Sequence, residues 1–235
     1  MSRKFWNWLK NEQDRTLFLD GYIAEDSWFE DDITPKQFKN ELYAEDGDVV
    51  VMLNSPGGDL FAAIQIYTML KEYPGHITVK IEGLAASAAS VIAMAADEVH
   101  MSPVAMMMIH NPATVIFGEI SDLKSGIAML SEVKESIINA YEQKTGLSRA
   151  KISHMMDAES WFNAWKAVEL GFADKVLYTT EEHLTEPPSA AYLFDKMTVT
   201  NALVKKFPLS QVNNPEPTTG TPLSYLEKRL SLLKH

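Results

Sequence analysis

Three polar groups of the kind that acyl transfer requires stand where apolar, strand-like runs end. Ser87 lies in Gly83-Leu84-Ala85-Ala86-Ser87-Ala88-Ala89-Ser90, between the strand-like Ile77–Ile81 and the apolar run Val91–Ala96. His110 closes the run Val104–Ile109 and is followed by Asn111-Pro112, and a carboxylate at Asp157 or Glu159 precedes the strand-like Ser160–Asn163. A hydroxyl nucleophile needs a base to take its proton, an acidic side chain to orient that base, and N–H donors for the oxyanion that develops. The amides of Gly57-Gly58 and of Ala88 are candidate donors, because a Gly-Gly turn brings bare backbone to the edge of a sheet and a helix starting after Ser87 leaves its first N–H groups free. Each signal has a plain alternative. Small-residue turns lead into buried helices for packing reasons, Gly pairs supply positive φ, a lone histidine is more often structural, and no G-x-S-x-G elbow is present. Four such signals falling together at strand ends are harder to assign to packing. Ser90, one helical turn after Ser87, is expected to be a helix-packing residue.

The elements that must position these groups alternate in type. Val49–Leu53 is an unbroken apolar run of strand length, which predicts a strand buried on both faces, and it stops at Asn54-Ser55-Pro56-Gly57-Gly58-Asp59. Beyond that loop Leu60, Ala63, Ile64, Tyr67 and Leu70 fall at helical spacing. Strand, glycine turn and helix recur at Ile77–Ala96. Thr34-Pro35 predicts a helix from Pro35 to about Ala44. From Glu119 to Lys144 the residues Ile120, Leu123, Ile127, Leu130, Ile137 and Tyr141 recur mostly three and four apart, predicting one long amphipathic helix ended by Thr145-Gly146. Shorter helices are expected over Ser148–Met156 and Ala164–Leu170, around the strand at Ser160.

Composition narrows the function. The chain has 235 residues, 46% of them hydrophobic, enough for one sizeable core. A formal charge of −11 argues against nucleic acid or an anionic membrane as main partner. The absence of cysteine excludes disulfides and thiolate catalysis, and six scattered histidines form no zinc-binding pair, so neither metal nor cofactor is expected. No apolar run approaches the roughly 20 residues of a membrane helix, and the N-terminus lacks the core of a signal peptide, so a cytoplasmic protein is expected. Residues 1–15 are taken as an N-terminal arm, containing Phe5-Trp6-Asn7-Trp8 and expected as a terminal strand or arm packed on its own domain or on a neighbouring subunit rather than as a membrane-surface segment. Residues 16–178 form the compact domain, and 179–235 an extension with a Pro/Thr-rich linker at 208–222 and a short amphipathic helix marked by Leu223, Leu226, Leu230 and Leu233.

Asn54-Ser55-Pro56-Gly57-Gly58, Gly83-Leu84-Ala85-Ala86-Ser87, Met108-Ile109-His110-Asn111-Pro112 and Ala167-Val168-Glu169-Leu170-Gly171-Phe172-Ala173-Asp174, in this order, resemble the proteolytic subunit of Clp protease, peptidase family S14. The likeness runs from about Thr16 to Leu177. The Ala85–Ser90 grouping, the triple methionine before Ile109 and the aromatic start look most like ClpP-related head maturation proteases of phages and prophages. The resemblance implies an α/β, ClpP/crotonase-like spiral of ββα units with a long protruding helix, Ser87 as nucleophile, His110 as base, and oxyanion amides at Gly57 and Ala88. The third triad member falls on Glu159, a departure from the family's aspartate, with Asp157 kept as the alternative acid. It further implies a homo-oligomeric ring, a heptamer or stacked rings joined through the long helix, acting on protein or peptide substrates. Phage coat or scaffold proteins in the prohead, or a separate Clp ATPase, are the implied partners. Two other readings share the features: a ring or scaffold protein with a decayed site, and a crotonase-type enzyme holding an acyl-CoA thioester enolate on two amides.

Overall fold

Apolar strands that end in turn residues, several of them followed by a helix, build the expected α/β architecture. The computed structural model describes residues 5–10, 15–23 and 35–179. In chain order these form β1 (Trp6–Lys10), β2 (Arg15–Asp20), α1 (Pro35–Leu42), β3 (Val49–Ser55), α2 (Leu60–Lys71), β4 (Ile77–Ala86) and α3 (Ala88–Ala93). There follow β5 (Glu98–Met101), β6 (Met106–Ile109), α4 (Ile120–Thr145), α5 (Arg149–Asp157), β7 (Ser160–Asn163), α6 (Ala164–Glu169) and β8 (Lys175–Val176). All described residues fall in one unit, Met1–Pro187. The linker and helix expected in the C-terminal extension lie outside the described residues.

The main sheet runs β1-β2-β3-β4-β5-β8, parallel except for the antiparallel β1–β2 pair. The aromatic N-terminal stretch is therefore a strand on the protein's own sheet, in register Trp6 with Leu19 through Lys10 with Arg15. Arg15 locks this corner: its guanidinium lies 5.0 Å from the Trp8 ring centre and donates to the Leu42 carbonyl at the end of α1.

On the edge away from β3, strand β4 serves two partners. Over Thr78–Ile81 it pairs with β5, and over Leu84–Ala86 it pairs with β6, which pairs antiparallel with β7. Its register against β3 also shifts between Leu53 and Ser55. Between its stretches against β5 and β6, β4 runs on unbroken through Glu82-Gly83, so one continuous strand leads from the core to the end that pairs beside His110.

The two-faced burial expected for Val49–Leu53 is not observed. Val49, Val51 and Leu53 are buried with Ile77, Val79 and Ile81, whereas Val50 and Met52 keep partial exposure beside Thr78 and Lys80. The helical layer covers one face of these strands, and alternation of their side chains leaves the second face half-covered. Helix ends follow local rules: Asp59 accepts from the Ala62 amide at 2.8 Å, Asn163 from the Lys166 amide at 2.9 Å, and Glu119 and Asp122 form a reciprocal capping box on α4. Among the described residues no helix is long and apolar enough to cross a membrane.

Candidate active site

The pairing of β4 with β6 sets the distance between the two strand ends. Leu84, Ala85 and Ala86 stand opposite Met106, Met107 and Met108, so Ser87 and His110 emerge side by side just past the ladder. The Ser87 amide donates to the Met108 carbonyl at 2.9 Å, and the Ser87 hydroxyl lies 2.7 Å from Nε2 of His110. For that nitrogen to accept the hydroxyl proton, the imidazole carries its own proton on Nδ1. Ser87 is held at φ 55°, ψ −124°, a conformation that costs a non-glycine residue about 1–3 kcal/mol and persists only where its surroundings enforce it. The turn aims the side chain out of the strand and starts α3 at the next residue.

The Gly57-Gly58 loop packs directly against this turn. A Cβ on Gly57 would lie 2.8 Å from the Ser87 Cβ and 2.7 Å from the Ala86 carbonyl oxygen, so only glycine permits the approach, and its φ of 97° requires glycine as well. The amide of Gly57, however, donates to Ser55 Oγ at 3.1 Å, and it is Gly58 that lines the cleft with Ala88. The amide expected as a donor, that of Gly57, is thus bonded within its own loop. The loop is bridged by Ile23, whose amide donates to the Gly57 carbonyl at 2.9 Å and whose carbonyl accepts from the Asp59 amide at 2.7 Å. In a parallel bridge of this kind the residue between those two bonds turns its own N–H and C=O away from the partner strand. Gly58 is that residue, and its amide faces away from Ile23. Among the described residues the Gly58 amide donates to no backbone carbonyl, and Ala88, as the first residue of α3, has no acceptor within its helix.

The two candidate acids part company. Asp157 ends α5, is exposed, and accepts from Lys134 Nζ at 2.6 Å and from Asn111 Nδ2 at 2.9 Å. The Lys134 ammonium first, and then the Asn111 amide, hold its carboxyl below the usual aspartate range. Glu159 lies on the continuation of β7: the ladder that sets Met108 against Trp161 and Ile109 against Ser160, carried one residue further, sets His110 against Glu159. Glu159 has φ 49°, in the left-handed position just past the α5 C-cap where glycine is usual, and is partly buried. The backbone thus spends strain on placing this glutamate beside the histidine strand.

The cleft over Ser87 has a volume of ≈ 500 Å³ and is walled on one side by Val91, Leu130, Val133, Ile137 and Tyr141. Ser90 is buried as expected, and its hydroxyl bonds both the Ser87 carbonyl and the Tyr141 phenol. Burial pushes the Tyr141 phenol well above its ordinary value, so it stays protonated. Sequence reasoning placed Tyr141 only on a helix stripe; nothing in the spacing connects it with Ser90.

A serine hydroxyl on a histidine ring nitrogen, at a strained strand-to-helix turn with two free amides beside it, is the arrangement of a serine-type peptidase. The chain belongs to the Clp protease family, whose model, described as Clp protease, matches residues 6–180. It is similar to the ATP-dependent Clp protease proteolytic subunit 1 of Protochlamydia amoebophila, 31% identical over 172 residues that cover 72% of this chain and 82% of that protein. The subunit 1 of Chlamydia muridarum is 31% identical over 169 residues, covering 70% and 87%. The subunit 2 of Thermobifida fusca is 32% identical over 145 residues, covering 60% and 71%.

Proposed function

We propose that Ser87, His110 and Glu159 act as the triad of a serine endopeptidase. The observation that carries this reading is the 2.7 Å contact between the Ser87 hydroxyl and His110 Nε2 at a residue held in a strained turn. Ser87 Oγ attacks the scissile carbonyl carbon while its proton passes to Nε2. The tetrahedral oxyanion is received by the Ala88 amide and, in place of Gly57, by the Gly58 amide. His110 then gives the proton to the leaving amine, and a water repeats the sequence on the acyl-enzyme to release the acid and restore Ser87. Glu159 accepts from Nδ1 and holds the tautomer. Asp157 is tied to Lys134 and Asn111, which supports Glu159 over it. The apolar wall beside Ser87 favours an apolar side chain next to the scissile bond.

The assembled form is a homo-oligomeric ring, heptameric or stacked, with the α4 helices in contact between rings. The exposed apolar residues Phe117, Ile120, Leu123 and Ile127 support that contact. For substrate, the Ala85–Ser90 grouping, the triple methionine and the aromatic start favour a phage coat or scaffold protein cleaved in the host cytoplasm or prohead. The names of the similar proteins, ATP-dependent proteolytic subunits, favour degradation with a Clp ATPase.

The test is labelling by a fluorophosphonate probe together with hydrolysis of coat, scaffold and unstructured model proteins. Ser87→Ala abolishes labelling and lowers turnover at least about a thousandfold. Glu159→Gln lowers turnover about a thousandfold as well, whereas Asp157→Asn stays within about twofold. Labelling that survives Ser87→Ala and disappears in Ser90→Ala would move the nucleophile. Equal losses at Asp157 and Glu159 would remove the assignment of the acid. Assembly with no hydrolysis of any substrate would favour a decayed ring protein.

A further inference from the structure

Ser90 is the one hydroxyl in the run of small residues that follows Ser87, and it is 0% exposed. Its Oγ lies 2.6 Å from the Ser87 carbonyl oxygen and 2.8 Å from the Tyr141 hydroxyl. A serine hydroxyl has a single proton, and a carbonyl can only accept. The Ser90 proton therefore goes to the Ser87 carbonyl, and the bond with Tyr141 must be donated by the phenol. The result is a directed chain: Tyr141 O–H to Ser90 Oγ, and Ser90 O–H to the Ser87 carbonyl. The Ser90 amide donates to the same carbonyl at 3.0 Å, so two donors fix its direction.

That carbonyl shares a planar trans peptide unit with the Ala88 amide, and in such a unit the C=O and N–H point in opposite directions. Pulling the carbonyl inward toward Ser90 and Tyr141 turns the Ala88 N–H outward, and Ala88 lines the cleft. The preceding peptide unit is pinned by the bond from the Ser87 amide to the Met108 carbonyl. We propose that Ser90 and Tyr141 are positioning residues that aim the Ala88 amide at the oxyanion by holding the Ser87–Ala88 peptide plane. This rests on Ser87 as nucleophile and on Ala88 as an oxyanion donor. The competing account is that Ser90 merely satisfies itself by bonding back to the preceding turn, as buried helical serines do.

The two accounts separate when rate and stability are measured on the same variants. Ser90→Ala, Tyr141→Phe, the double variant and Ser90→Thr are compared with the unaltered chain by kcat and KM on a chromogenic peptide amide, by affinity for a peptide boronate that forms a tetrahedral adduct, and by denaturation midpoint. Ser90→Ala lowers kcat about tenfold with KM within about twofold, and boronate affinity falls by the same factor, since a misaimed donor costs less than a deleted one. Tyr141→Phe lowers kcat by a smaller factor, about threefold. Ser90→Thr restores kcat because it keeps the hydroxyl. The double variant regains the stability that Ser90→Ala loses, because no buried phenol is left without an acceptor, but it does not regain kcat.

Activity that instead tracks the denaturation midpoint across the set overturns the proposal. So does loss of stability with kcat and boronate affinity unchanged. If Ser90→Ala does not fold, the pair Tyr141→Phe and Ser90→Thr carries the same contrast. Mass spectrometry of the fluorophosphonate adduct distinguishes the two levels of failure. No adduct at Ser87 in the unaltered chain refutes the nucleophile reading, whereas a normal adduct with normal kcat in every variant refutes only the role of Ser90 and Tyr141.

Discussion

The two halves of α4 carry the same apolar spacing and meet different surroundings. Toward its N-terminus Ile120 is 72% exposed and Ile127 66% exposed, while toward its C-terminus Ile138 and Tyr141 are each 1% exposed. The buried half is fastened from several sides. Tyr141 meets Phe172 edge-on with ring centres 5.6 Å apart, and Lys144 Nζ donates to the Asp97 carbonyl at 3.0 Å and the Asp174 carboxylate at 2.9 Å. Arg149 at the start of α5 bonds the carboxylates of Glu135 and Glu142. The exposed half is held by its capping box and by Ile116, whose side chain occupies the space that a Cβ on Gly126 would take. One helix therefore builds the wall of the cleft over Ser87 with one end and presents an apolar surface with the other. The lesson is that helical periodicity marks which residues share a face and does not say whose core that face enters.

The largest effect that sharpens this comparison is on folding. Ile138→Ala, which leaves the cleft lining untouched, destabilises the chain by about 3 kcal/mol through lost burial and the cavity left behind. Ile120→Ala stays within about 0.5 kcal/mol, since its side chain has little to lose. Denaturant unfolding of the two variants checks this, and equal losses would mean that the first turns of α4 pack as tightly as the last. The next effect is on assembly. Ile120→Ser with Ile127→Ser leaves folding intact and shifts the sedimentation profile from stacked to smaller species. An unchanged profile would show that the exposed half serves something other than contact between copies.

Much of the architecture was legible in the chain, because buried strands ending in Gly, Pro and Asn, and helices with a wet face, leave periodic traces. His110 could be picked out because it closes the run Val104–Ile109, and Ser87 because it stands in a small-residue turn between the strand-like Ile77–Ile81 and the apolar run Val91–Ala96. Four things were not legible, each for the same reason: they depend on what a third element does. Strand β4 changes partner around Gly83 because β5 and β6 claim different stretches of it. Gly58 turns its amide away from Ile23 because that distant residue bridges the loop, while the Gly57 amide is taken by Ser55 Oγ. Glu159 was reached only through the resemblance, since its position depends on the register of β7 against β6 and on a left-handed backbone that no glycine announces. The second face of β3 stays half-covered because the helical layer lies on the other. Asp174, quoted as part of a recognisable motif, proves to be a fastening, accepting from the Val99 amide at 2.6 Å as well as from Lys144.

The smallest expected effect lies between the two halves of α4, at Lys134. Its ammonium holds Asp157, and with Asn111 ties the helix to the end of α5 beside the histidine strand. Because the folded-state carboxyl of Asp157 is depressed, its contribution to stability is present above the ordinary unfolded aspartate value, about 3.9, and is lost as pH falls through the lower folded value. Lys134→Met raises the Asp157 titration toward that ordinary value, which carboxyl NMR reads directly. The stability gap between the two forms closes progressively as the solution is made more acid. Asp157 is exposed, so the gap at neutral pH is small and shrinks further in salt. A gap that persists unchanged below the folded titration would mean that Lys134 acts through packing of its hydrocarbon stem. Turnover at neutral pH is unaffected by Lys134→Met, since the acid assigned to His110 is Glu159. A large fall in turnover would instead bring Asp157 back as the acid beside His110 and join this middle stretch of α4 to the half that walls the cleft.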